Sequence, residues 1–535
     1  MLRMRAVLSL YLLSLFLIGV GYIAIIPPFE GFDEPAHFSS LRQIADTGTI
    51  PLYGGSFLPR DVADYGGPVA YSSLTPPFDT GLTYAKFFAR PDLVARFVQE
   101  YREPQPHPPF IPSATPDWEA QHPPLYYLAL APLMRLVEPT AFVTQIFVLR
   151  LASYLLALVG VFFAWRAATS PASSTDTRAA VNGFLFYPIM LPMFFPEFSR
   201  IGNDSLCLML AGLAAYFLNR QLADGRSIAW PLALGISLGL GLLTKAFFLP
   251  ITFAVTVFLL LRAWRGAIEG GSRGLQLRNV LVELAIALLI SGGWYIYNAL
   301  ANGILISGDD AIVRQGGILE SLKQNFSVYL LARGIIVTIV TWIWAGTWSL
   351  VRMSPLLDAP LLLLVTMTIC ALAARLKHTP ITDPVWLSVT LFAVFAGGLF
   401  AHFTVWIANG NSGGPGGWYL HILMPWAAPA IGLGVALILR RRWPRSIFTA
   451  LACYAVLFQA IAVWSQIALF TGCAIKDDDK YYSFSGQMFC LDQVPTLFDR
   501  LAVIGWPILA CVGFGGGLLS AGWLVLEMRR RPGIK

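Results

Sequence analysis

The sequence predicts an all-α polytopic membrane protein, a bundle of about twelve transmembrane helices with a long first extracytoplasmic loop. Three observations predict it. The 535 residues are 56% hydrophobic and only 13% charged, against about 25% charged in a soluble domain. Apolar runs of roughly 16–26 residues recur along the chain and read as membrane spans, those around Asp204 and Lys245 being short. Basic clusters fall at every second connection between those runs, the pattern of a chain whose Lys and Arg stay on the cytoplasmic side.

The first run, Ala6 to Ile26, follows Arg3 and Arg5 and ends in "IIPPFE". It has no small-residue cleavage site, so it reads as a retained signal anchor with a cytoplasmic N-terminus. The next spans are Ala141 to Trp165, Ala179 to Pro196, Asp204 to Leu218, Ile228 to Leu243, Ala246 to Leu261 and Val280 to Asn298. Leu356 to Ala374, Pro384 to Trp406, Tyr419 to Leu439, Ile447 to Leu469 and Leu501 to Leu526 complete the set. Threaded this way, the inner connections carry Arg166 and Arg178, Arg220 and Arg226, Arg262 to Arg278, Arg375 and Lys377, Arg440 to Arg445, and Arg529 to Lys535. The net charge of +7 is therefore a topology signal rather than a nucleic-acid signal. Both termini are expected in the cytoplasm, and the membrane is expected to be a bacterial inner membrane.

Two further apolar stretches, His122 to Leu136 and Val337 to Leu350, would reverse the downstream loop charges if either alone were a span. They are expected to be interfacial or re-entrant helices on the outer face. Three outer segments result: Pro27 to about Gln121, Ala299 to about Pro355, and Gly472 to Arg500, the last with the acidic patch "KDDDK". Cys473 and Cys490 both fall in the third. They are expected to pair if that face is oxidising; two unrelated thiols is the alternative. The chain is expected to divide into a main transmembrane module, 1–440, and C-terminal helices, 441–535.

The threading brings scattered polar residues to one height. Asp33, Glu34 and His37 sit just outside the first span, and His122 opens the interfacial helix. Glu197, Arg200, Asn203 and Asp204 form one outer turn, and Lys245 stands at another. Asn298 closes the seventh span; Trp418, Tyr419 and His421 open the tenth. Ionisable residues beside lipid are costly and tend to face a polar cavity or one another. Each residue also has a plainer role open to it. Asn203 and Asp204 suit a helix N-cap, Lys245 can snorkel to headgroups, and Trp418 suits an interfacial belt. His37 can simply share a turn with Glu34, and Arg150, inside the second span, is expected to pair with a structural partner. A carboxylate at that boundary can take a proton from an attacking hydroxyl, while cations hold a phosphate leaving group. No P-loop and no GxGxxG dinucleotide motif is present.

"FDEPAHFSSLRQIADTGTIP" after a first span resembles the first outer loop of the GT-C membrane glycosyltransferases, a superfamily that includes protein O-mannosyltransferases and the aminoarabinose transferase acting on lipid A. "QHPPLYYLAL", "GNDSLCLML", "LLTKAFFLP", "GWYIYNALANG" and "GGWYLHILMP" resemble that family's later segments in the same order, over most of residues 1–440. The resemblance implies an inverting transfer of a sugar from a polyprenyl-phosphate donor to a glycan, lipid or protein acceptor on the extracytoplasmic face. It implies Asp33 as the catalytic carboxylate, with Glu34 orienting the acceptor or acting as the base itself. Lys245, with Arg200, would neutralise the lipid phosphate; His37, His122, Asn203, Asp204, Asn298 and Tyr419 would line the substrate site. Where the family carries Arg before Tyr, this chain has Trp418, so His421 or the Arg200–Lys245 pair would have to serve. No cofactor is expected; some relatives use a divalent metal, and Asp33, Glu34, His37 and His122 are the residues to furnish one. A transporter, a flippase, a glycan polymerase and a non-catalytic assembly subunit are the rival readings. Transporters bind near the midplane and often carry inverted repeats, whereas these polar groups crowd one boundary.

Overall fold

A computed structural model describes residues 2–70, 81–106, 108–170, 177–268, 273–303, 318–351, 353–377, 384–408, 416–440, 442–474 and 490–529. The "KDDDK" patch, residues 304–317 and the last basic residues (530–535) lie outside them. Among the described residues ten helices are long and apolar enough to cross a membrane, and the chain is an all-α integral membrane protein. These ten coincide with ten of the twelve expected spans. The other two are helices of only 14 residues, Thr177–Met190 and Ala229–Leu242, about 21 Å long at helical rise.

In chain order, α1 (Leu2–Ile25) ends at the Pro27–Pro28 pair, and α2 (Glu34–Thr47) starts with Pro35 in its first turn. The long segment that follows holds α3 (Arg60–Ala63), α4 (Tyr84–Phe88) and α5 (Pro91–Phe97). A two-stranded antiparallel ribbon, β1 (Phe57–Pro59) with β2 (Pro112–Pro116), closes it. Helices α6 (Leu125–Val137), α7 (Phe142–Ala168), α8 (Thr177–Met190), α9 (Phe194–Phe198) and α10 (Asp204–Ala223) follow, then α11 (Ala229–Leu242), α12 (Phe248–Ile268) and α13 (Arg273–Ala301). At 13 residues, about 20 Å, α6 is too short to span, as expected for an interfacial helix. The second such stretch is different. The helix runs from Val328 to Ile343, and Trp344 to Val351 leaves it as irregular backbone. The last expected span also starts late: Val494–Ile504 and Pro507–Arg529 are separate helices. Pro507 cannot continue a helix from the preceding turn, and the Trp506 amide bonds instead to the Ala24 carbonyl at the end of α1 (2.8 Å).

Small residues set how closely the long helices approach, as is usual where lipid offers no hydrophobic drive for association. A Cβ at Gly160 on α7 would overlap the carbonyl of Leu208 on α10, and one at Gly212 would overlap that of Gly160. The α7–α10 contact matters most, because it places Arg150 on α7 beside the residues that precede α10.

Candidate active site

The turn Glu30-Gly31-Phe32-Asp33-Glu34 leaves α1 and enters α2, and each of its non-glycine residues is held from a different direction. Asp33 has φ 56° and ψ 10°, a left-handed backbone that costs a non-glycine residue roughly 1–2 kcal/mol. It sits at the N-cap position of α2, yet its side chain makes no capping bond. Instead Oδ1 accepts from the Trp118 indole N–H (2.9 Å), and Oδ2 has no hydrogen bond among the described residues. Asp33 is half-buried. Burial holds its carboxyl above the ordinary aspartate range, against the opposing pull of Arg200, the Trp118 bond and Lys245.

Glu34 is fully buried. Its Oε1 accepts from Arg150 Nε (2.7 Å) and the Ile201 amide (3.1 Å); its Oε2 accepts from Arg150 Nη2 (2.6 Å) and the Gly31 amide (3.4 Å). Arg150 also donates to the carbonyls of Ile26 and Pro27. Both Glu34 oxygens are therefore committed to structure, and the guanidinium on α7 ties the end of α1 to the start of α2.

The cations form a chain through Asp204. Lys245 Nζ contacts Asp204 Oδ1 and Oδ2 at 3.1 and 3.0 Å. It also lies 4.7 Å from the Phe247 ring centroid and 4.8 Å from that of Tyr419, cation–π positions. Arg200 reaches Asp204 Oδ2 (2.8 Å), Glu197 Oε1 (2.6 Å) and the Phe32 carbonyl (2.9 Å). Two carboxylates thus balance two cations one residue away from Asp33. Asp204 starts α10, where the helix dipole favours an anion. Asn203, at the N-cap position, is buried with neither side-chain amide atom hydrogen-bonded in the structure.

The histidines serve differently from one another. His37 Nδ1 meets the Tyr127 hydroxyl (2.9 Å) and Glu119 Oε2 (3.4 Å), and His122 Nε2 meets the same Glu119 oxygen (3.2 Å). Burial, then Arg200 and Lys245, pushes the His37 pKa well below its usual value. Burial and Lys245 push that of His122 down to about 3. Both shifts favour the neutral imidazole; His37 bonds to Tyr127, while His122 only contacts Glu119. Glu119 is held well above the usual carboxylate range by burial and by the nearby Asp33. His421 lies in the core, with Nδ1 on the Tyr187 hydroxyl and Nε2 on the Trp342 carbonyl (both 3.1 Å). It does not stand in for the missing arginine. Trp418 stacks on Phe32, centroids 4.1 Å apart and planes 7° apart, so it walls the turn and brings no charge. Asn298 Oδ1 accepts from the Asn302 side-chain amide at the end of its own helix (2.9 Å). Cys473 and Cys490 are bonded, with Cα atoms 6.5 Å apart.

Trp118, Glu119, Glu30 and Tyr127 were not among the residues singled out from sequence. The available signal was "DWEAQH", an acidic run immediately before the Pro-Pro pair; only the fold shows that it folds back onto α2.

Residues 121–290 match the family model described as dolichyl-phosphate-mannose-protein mannosyltransferase. The chain is similar to the GT-C membrane glycosyltransferases. The matched residues run from just before α6 into α13, the region that carries His122, Arg200, Asp204 and Lys245. No curated protein matches the chain. Among solved structures, ArnT from Cupriavidus metallidurans bound to undecaprenyl phosphate is 14% identical, covering 99% of this chain and 77% of that one, with a TM-score of 0.45. The same protein in its apo state is 15% identical, covering 98% and 76%, with a TM-score of 0.41.

Proposed function

We propose that the chain transfers a sugar from a polyprenyl-phosphate donor to an acceptor hydroxyl, with inversion, at the end of the bundle that carries Asp33, and that this end faces the extracytoplasmic side of a bacterial inner membrane. The acceptor oxygen forms a bond to the anomeric carbon from the face opposite the phosphate. The carbon–oxygen bond to phosphate breaks, and polyprenyl phosphate leaves with the electron pair. Asp33 Oδ2 takes the acceptor proton as the bond forms. Lys245 meets the phosphate, sharing its charge with Asp204, while Arg200 holds the Phe32 carbonyl and so the turn. One observation carries the assignment. Of the two adjacent carboxylates, Glu34 has both oxygens bound by Arg150 and backbone amides, whereas Asp33 Oδ2 has no hydrogen bond among the described residues and the carboxyl feels the charges of Arg200 and Lys245.

The same partners argue for chemistry without a bound metal. Asp33 and Glu34 are directed to Trp118 and Arg150 rather than to the Glu119 oxygen that His37 and His122 both meet. Among the described residues no three His, Cys, Asp or Glu side chains are grouped to hold an ion. Transfer that persists in EDTA supports this; loss in EDTA with recovery on adding Mg²⁺ or Mn²⁺ overturns it. The function itself is tested by mass spectrometry of envelope glycans from cells lacking the chain, complemented with wild type or Asp33→Asn. A glycan lost on deletion, restored by wild type and not by a normally inserted Asp33→Asn, supports the reading. Full restoration by the variant removes Asp33 from the mechanism.

A further inference from the structure

Glu30 lies three residues before Asp33 and has no part in the chemistry above. Its side chain is wholly buried, yet it collects donors from two remote segments. Oε2 accepts from the Tyr84 hydroxyl of α4 (2.5 Å). Oε1 accepts from the Thr347 hydroxyl (2.7 Å) and the Ser349 amide (2.8 Å), and the Glu30 carbonyl accepts from the Trp348 amide (3.0 Å). Thr347 to Ser349 belong to the irregular stretch that follows helix Val328–Ile343. Thr347 and Ser349 are buried there, and buried backbone outside a helix needs partners for its amides. Glu30 supplies them for two successive residues. The stretch closes on itself through the Leu350 amide on the Thr347 carbonyl (2.8 Å) and the Trp344 indole N–H on the Val351 carbonyl (2.9 Å).

What this fastening presents is an aromatic wall. The Trp348 ring meets Phe32 at 5.4 Å and 61°, and Trp418 stacks on Phe32 as a second aromatic neighbour. Phe32 directly precedes Asp33. A third segment joins through Tyr84, whose ring lies 5.4 Å from that of Phe470.

We propose that Glu30 is a positioning residue for the Asp33 carboxylate: by clasping residues 347–349 it seats Trp348 against Phe32, and so fixes where Asp33 Oδ2 points. This rests on the proposed role of Asp33. Glu30 touches no substrate and acts only through Phe32 and its neighbour. Gln at position 30 keeps an oxygen for Thr347 and Ser349; Ala keeps none.

The test uses the full chain in detergent or nanodiscs, with Glu30→Ala and Glu30→Gln. Hydrogen exchange at the Trp348 and Ser349 amides is expected to rise about 10-fold or more in the Ala variant and to stay near wild type in the Gln variant, with α10 protection unchanged. Transfer from the endogenous lipid-linked donor in membranes is expected to fall about 10-fold in Glu30→Ala, while undecaprenyl phosphate binding holds. The acid limb of transfer is expected to move down in pH as Asp33 hydrates, and Gln is expected to rescue both. Unchanged amide exchange overturns the clasp. Faster exchange with wild-type transfer and an unmoved acid limb overturns the positioning role. If Glu30→Ala does not fold, Thr347→Val and Tyr84→Phe each remove one donor and are read the same way. Failure of the functional reading is distinct: Asp33→Asn then keeps transfer, whatever the Glu30 variants do to exchange.

Discussion

Glu34 on α2 and Arg150 on α7 are joined by two hydrogen bonds of 2.6 and 2.7 Å in a site where neither side chain is more than 2% exposed. The pair fixes the turn that carries Asp33, because the same guanidinium holds the last carbonyls before that turn.

Breaking this pair from one side leaves a buried charge without its partner, which typically costs about 3–5 kcal/mol. Arg150→Leu and Glu34→Leu are each expected to lower thermal stability in detergent by that order. The double variant is expected to lose less than the two single losses added together. Strict additivity in the melting data would mean that the two side chains do not act as a unit.

Asp33→Asn keeps a residue that tolerates the left-handed backbone and keeps an acceptor for Trp118. It is expected to melt with wild type while transfer drops about 10²–10⁴-fold, the usual contribution of a positioned base. Asp33→Ala is expected to lose comparable activity and also about 1 kcal/mol of stability. Since burial raises the Asp33 pKa, the acid limb of transfer is expected above the pH at which a solvated aspartate titrates.

Asp117 gives a pH signature of stability. Burial raises its pKa to about 7, although the Ser40 hydroxyl donates to it at 2.8 Å. The folded chain then binds a proton that the unfolded chain, with an aspartate near 3.8, has already released. Its contribution is present below about pH 4 and is lost as pH rises towards about 7. Melting temperature as a function of pH is expected to show this decline, and Asp117→Asn to flatten it. An unchanged slope in the variant would show that Asp117 is not the group responsible.

Lys245→Met removes one cation of the chain while leaving Asp204 its bond to Arg200. On the proposed reading, binding of a polyprenyl phosphate is expected to weaken about 10–100-fold, the scale of a charge-assisted hydrogen bond worth about 1.5–3 kcal/mol. Lys245→Arg is not expected to restore it fully, because a broad planar guanidinium differs in shape and reach from the compact ammonium that contacts both Asp204 oxygens. Wild-type affinity in Lys245→Met would move the phosphate site elsewhere.

Much of the architecture was readable in advance because membrane helices announce themselves. Hydrocarbon demands about 20 apolar residues per span, and ten such runs became long helices. The limits of reading were local. Leu501 to Leu526 reads as one run, but Gly505-Trp506-Pro507 turns against the end of α1 instead. Val337 to Leu350 reads as one interfacial helix, but its second half unwinds onto Glu30. His421 reads as a site residue because it follows Trp418 and Tyr419, yet its helical turn sends it inward to Tyr187.

Composition and apolar run length alone determined that this is a helical membrane protein, and the order of short motifs pointed to a glycosyltransferase-like chain with Asp33, Asp204 and Lys245 near one boundary. Only the tertiary structure decided which of two neighbouring carboxylates keeps an oxygen unbonded among the described residues, which cations share Asp204, and which distant backbone Glu30 holds. The physical reason is that burial in lipid is a property of each segment taken singly. Hydrogen-bond partnership depends on groups more than a hundred residues apart, as Glu34 and Arg150 are, and no local pattern records it.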